Sequence, residues 1–103
     1  MAWIMFVGTD LRDRDRLERG AAGAGLEVRP YSQGSWDAED PPRFVVIDLD
    51  RQAIPAPLPD GIRAIGYYSH IDDALAEEAR RRGVEPIPRG KFWTGVSELL
   101  RNA

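Results

Sequence analysis

The sequence predicts a doubly wound α/β domain, and three observations point there. Short, wholly apolar runs recur along the chain, amphipathic stretches with helix-start and helix-stop residues follow several of them, and 103 residues is the length of one domain. A strand that is apolar at every position, rather than at every second one, is covered on both faces. That is the condition of a parallel sheet sandwiched between layers.

Ile4-Met5-Phe6-Val7 reads as a first, central strand. Thr9 or Asp10 can cap the helix that follows, since either side-chain oxygen can accept from a free amide of the first turn. Asp10/Arg14 and Asp15/Arg19 fall at i, i+4, and Leu17, Ala21 and Ala24 make a thin apolar stripe that stops at Gly25, a residue suited to a left-handed turn. Glycines 20 and 23 each lower helix propensity by about 1 kcal/mol and weaken the last turn. Residues 26–31 form a shorter strand with Val28 inward. The stretch 32–42, rich in Ser, Gly, Asp and Pro, is a loop.

Phe44-Val45-Val46-Ile47-Asp48 is the strongest strand in the chain and again central. Pro55, Pro57 and Pro59 exclude a helix after it and favour an extended crossover. Residues 62–68, β-branched and aromatic, give a fourth strand. Ser69-His70-Ile71-Asp72 resembles a capping box with a shortened acid, ahead of a helix carrying Ile71, Leu75 and Ala79 on one stripe. Arg80, Arg81 and Arg82 suit the negative end of its dipole, and Gly83 ends it. Residues 84–88 make a short strand whose prolines place it at a sheet edge. Phe92, Val96, Leu99 and Leu100 form the buried stripe of a closing helix.

This alternation predicts one flavodoxin-like domain over residues 1–103: a five-stranded parallel sheet of order 2-1-3-4-5, with reduced helices between strands 2 and 3 and between strands 3 and 4. In such sheets function sits beyond the carboxyl ends of the strands. Here that rim carries Gly8-Thr9-Asp10, Asp48-Leu49-Asp50 and Ser69-His70.

Composition excludes several functions. The absence of cysteine removes disulfide scaffolds, thiolate nucleophiles and cysteine zinc sites, and a single histidine, His70, removes histidine metal clusters. A net charge of -3 argues against phosphate-backbone binding, so nucleic acid is not an expected partner. The longest apolar runs, 2–7 and 44–47, fall far short of the roughly 20 residues that span a bilayer. With no basic leader or cleavage signal at the N-terminus, the expected location is the cytoplasm and the expected partner a protein.

The rim residues resemble the receiver domain of bacterial response regulators, in a degenerate and shortened, pseudo-receiver-like form. That family has acids after strand 1, a phosphate-accepting Asp ending strand 3, a Ser or Thr ending strand 4 and a Lys after strand 5. Asp48 and Ser69 match in register with their strands. Gly8 and Thr9 stand where the first acids belong, Asp10 is the nearest carboxylate, and Arg89, or Lys91 with a shift, takes the place of the lysine. The resemblance implies a signalling module with Asp48 as candidate phosphoacceptor, assisted by Ser69 and Arg89 or Lys91. It implies no cofactor beyond magnesium, held weakly by Asp10, Asp48 and Asp50. Phosphoryl transfer to a carboxylate needs such a cation to offset charge repulsion, and arginine's planar fork does not reproduce lysine's reach.

Plainer roles exist for the same groups. Asp48 and Asp50 can cap the turn after their strand, Ser69 can cap a helix, and His70 suits a solvated loop. Trp3, Trp36 and Trp93 suit partial core positions, with Trp36 also a candidate anchor for a partner. The function expected is a regulatory protein-interaction module, either switched at Asp48 or binding constitutively, with strands 4 and 5 and the last helix as its contact face. The alternative is a small phosphotransfer or phosphatase-like enzyme, because Val46-Ile47-Asp48-Leu49-Asp50 also resembles the paired-aspartate motif of haloacid-dehalogenase-like phosphatases. Arg51 stands where that motif has glycine.

Overall fold

A computed structural model describes residues 2–32, 36–69 and 73–102. Strands β1 (Trp3–Val7) and β3 (Phe44–Asp48) are buried at every position, as their unbroken apolar sequences require. They lie side by side at the centre of a five-stranded sheet of order β2-β1-β3-β4-β5, with β2 at Glu27–Pro30, β4 at Arg63–Tyr68 and β5 at Val84–Pro88. All pairings are parallel. The sheet order is therefore the one predicted, and the architecture is that of a flavodoxin-like α/β fold.

Alternation along the strands divides the core into two layers. Ile4, Phe6, Phe44, Val46, Ile65 and Tyr67 face helices α1 (Leu11–Ala22) and α3 (Arg89–Arg101), which contribute Leu17, Ala21, Phe92, Val96 and Leu100. Met5, Val7, Val45, Ile47, Ala64 and Tyr68 face the other way, toward Ala76 and Ala79 of α2 (Asp73–Arg81). Each large apolar side chain buried in this way contributes about 1.5–3 kcal/mol. Tyr67 and Tyr68, adjacent in sequence, thus serve opposite layers.

The two faces are covered differently. Among the described residues no helix lies between β2 and β3 or between β3 and β4. On α2's side the remaining cover comes from Tyr31, Trp36, Ile54, Leu58 and Ile62, all partly buried loop or loop-end residues. Trp36 is thus engaged against the core. The proline-rich crossover is irregular and has a cis peptide bond at Ala56-Pro57.

Several ends differ from expectation in instructive ways. Helix α1 stops at Ala22, three residues before Gly25, whose φ of 72° makes the left-handed turn into β2. Asp10, not Thr9, is its cap: Oδ1 accepts from the amides of Arg12 (2.8 Å) and Asp13 (3.1 Å). Asp15 and Arg19 pair at 2.9 Å, whereas Arg14 faces Glu18 and leaves Asp10 to another cation. Gly83, at φ 81°, ends α2's turn before β5. Residues 70–72 of the expected capping box, with His70 and the Ile71 end of the stripe, lie outside the described residues.

Candidate functional site at the carboxyl rim

Asp48 is the last residue of β3 and shares the α1/α3 face with Phe44 and Val46. Register sets it beside Tyr67 of β4. The helices on that face bring two further charges to it: Asp13 from the first turn of α1 and Arg89 from the first residue of α3. Asp48 is 0% exposed and Asp13 4%, the two charged residues buried among those described.

Arg89 joins these groups. Its Nη1 donates to Asp13 Oδ2 at 2.9 Å, and its Nη2 lies 3.4 Å from Asp48 Oδ1 and 3.6 Å from Asp50 Oδ2. Its guanidinium carbon stands 4.6 Å from the centre of the Tyr67 ring, and the Tyr67 hydroxyl donates to the same Asp13 oxygen at 2.9 Å. Tyr67 in turn stacks on Phe92 at 5.2 Å. A charged fork carried by α3 is thus fixed from three sides by groups on two strands, the turn after β3 and helix α1.

The outer side of Asp48 is held by Arg51. This residue, in the turn after β3, donates to Asp10 Oδ2 at 2.9 Å and places the same nitrogen 3.7 Å from Asp48 Oδ2. Asp48 Oδ1 accepts from the Asp50 amide at 3.2 Å, whereas Oδ2 is buried with no hydrogen-bond donor. Asp50 is occupied by β4's end: its carboxylate accepts from the Ser69 amide (2.9 Å) and hydroxyl (2.8 Å).

These surroundings set the charges. Burial holds the Asp48 carboxyl above its ordinary value; Arg89 and Arg51 pull it down, and the negative charge of Asp13 pushes it up again. Asp10 is held down at about 2, chiefly by the Arg51 hydrogen bond and then by the amides it caps. Burial and the nearby carboxylates push the Tyr67 phenol up, which keeps it a donor. Desolvation works against the Arg89 cation, but its bond to Asp13 and the surrounding negative charge outweigh it.

The structure therefore gathers Asp10, Asp48, Asp50, Ser69 and Arg89 of the predicted set at one rim. Lys91 is exposed on α3 and forms no ion pair among the described residues; the cation that reaches the rim is Arg89. Asp10, Asp48 and Asp50 do not converge into a metal-holding group among the described residues, because each is turned to a different donor: Arg51, the Asp50 amide with Arg89, and Ser69. At position 8 a side chain would strike the ring of Phe6, with its Cβ 2.6 Å from Cζ. Phe6 fills the space into which an acid from the end of β1 would extend.

Two residues of this network escape the sequence expectation. Asp13 looks like an ordinary helix charge, yet it lies one turn before Leu17 and two before Ala21, on the apolar stripe, and a carboxylate on that stripe demands a buried cation. Arg51 has no such signal; only the fold brings it to Asp10. No protein-family model matches this sequence, and comparison with curated proteins finds no relative.

Proposed function

We propose that this chain is a receiver-like protein-interaction module whose rim is held in one state by arginines and whose partner binds without phosphorylation of Asp48. The observation that supports it most is the complete burial of Asp48 between Arg89 and Arg51. An acceptor carboxylate needs open space for an incoming phosphoryl group and a cation free to bridge the two. Here both flanking cations are bound to the protein's own carboxylates, Asp13 and Asp10. The Asp50–Ser69 bonds also favour this reading over a phosphatase-like one, in which Asp50 would serve as a free acid/base.

Incubation with magnesium and acetyl phosphate, read by intact mass, tests it. The expected result is an unchanged mass. A phosphoryl adduct that disappears in Asp48→Asn would overturn the proposal in favour of a switch, and steady release of phosphate from a model ester would overturn it in favour of the enzyme.

A further inference from the structure

Helices α1 and α3 cover one face of the sheet and meet where Gly20 packs on Val96, and the surface over that seam is hollowed. Two depressions of about 500 and 430 Å³ lie along it, and a third of about 330 Å³ lies beside them on the exposed face of α1 alone. All three share Arg16, and the two larger share Trp93, so they form one furrow. Its charged lining is Arg12, Arg16, Arg19 and Arg89 with Asp15; Asp15 holds Arg19 at 2.9 Å and Asp13, Asp48 and Asp50 hold Arg89, so the positive charge left to the furrow is that of Arg12 and Arg16. The whole chain is acidic, at -3, so this cationic seam is a local reversal of the protein's charge.

Arg12 and Arg16 meet no carboxylate among the described residues. Arg16 lies over Trp93, its guanidinium carbon 5.9 Å from the ring centre, an arrangement that orients the fork while leaving its N–H groups for another acceptor. At one end of the furrow, on α1, Leu11 is the one large apolar side chain strongly exposed among the described residues, at 78%. At the other end Pro88, the N-cap of α3, supplies no side-chain cap and the helix's first turn has no acid, so its amides add positive potential beside Arg89 and Ser69.

We infer that this furrow binds an acidic peptide segment of a partner protein, with carboxylates on Arg16 and Arg12 and an apolar residue on Leu11. Arginine suits this task because its fork takes a carboxylate through two parallel hydrogen bonds. A longer polyanion such as nucleic acid would meet the acidic remainder of the molecule beyond the furrow's ends. The inference rests on the interaction-module reading, but it uses surface residues outside the Asp48 network apart from Arg89 at the furrow's end.

The test is fluorescence anisotropy of a labelled peptide of alternating glutamate and aspartate with one central leucine, titrated with the full chain at low and physiological salt. Arg16→Glu, an exposed substitution, is expected to weaken binding about tenfold or more, and Arg80→Glu on α2 to change it by no more than about twofold. Thermal melts check that both variants are folded. Wild-type binding in Arg16→Glu, equal weakening by both variants, no binding even at low salt, or tighter binding of single-stranded DNA of equal charge would each overturn it. So would sedimentation showing a dimer that Arg16→Glu dissociates, which would give the furrow to a second copy. Failure here with the protein still inert to acetyl phosphate removes the furrow alone, whereas a phosphoryl adduct removes the constitutive reading.

Discussion

On its inner flank Asp48 meets a guanidinium clamped by Asp13 and laid on the Tyr67 ring; on its outer flank it meets Arg51, which is 53% exposed and bonded first to Asp10. Both flanks present an arginine and an aspartate. They differ in what surrounds them: the inner pair is desolvated and braced by aromatic packing, and the outer pair is bathed in water and open to salt. The same two residue types therefore have unequal effects, because removing one partner of a buried pair strands the other charge, whereas water replaces the partner of an exposed one.

The sharpest way to break this contrast is to delete each arginine in turn. Arg89→Ala leaves Asp13 and Asp48 buried without their shared cation, and urea unfolding should show a loss of about 3 kcal/mol. Tyr67→Phe removes one donor to Asp13 while keeping the ring against Phe92, so a loss of about 1–2 kcal/mol is expected in the same measurement.

A third and smaller effect lies in the pH profile. Asp48 is held above its unfolded value, so its ionised form opposes folding, and that penalty fades as pH falls through the raised folded value toward 3.8. The stability of Asp48→Asn relative to wild type should accordingly be most favourable near neutrality and should decline on acidification. Asp10 runs the opposite way: held at about 2, it contributes stability above pH 3.8 that is lost as pH falls toward 2. Asp10→Asn keeps a capping side chain but loses the charge, so its deficit should shrink across that window. Parallel profiles for the two variants would contradict the contrast between flanks. Arg51→Ala should give the smallest change of all, further reduced by salt; a loss equal to that of Arg89→Ala would show that the outer flank is no weaker than the inner.

Much of the fold is legible in the sequence because its signals are local. Phe44-Val45-Val46-Ile47, short and rich in β-branched residues, reads as a doubly covered strand, and Gly25 and Gly83 mark the turns where the backbone takes positive φ. Once the sheet order is known, Asp48, Ser69 and Arg89 fall at one rim without further information. The partners that decide what the rim does are less legible. Asp13 and Tyr67 are 54 residues apart, and Asp10 and Arg51 are 41, so their pairing exists only after the sheet has assembled. The start of α1 shows the same limit at short range: i, i+4 spacing offered Arg14 to Asp10, but Arg51 arrives from the adjoining β3 turn in better position.

The sheet's outer strands bear on how any partner is recognised. On one side β5 carries Pro86 and Pro88, neither of which has an amide hydrogen to offer. On the other β2 is four residues long, ends in Pro30, and has Arg29 spread over the Trp3 ring at 4.7 Å with Glu27 and Asp40 beside it. Short, charged and proline-bearing margins are poor templates for a further strand, whether from another copy growing into an aggregate or from an extended ligand seeking backbone pairing. If the chain is the interaction module proposed above, recognition falls to side chains on its helices rather than to backbone pairing at these margins.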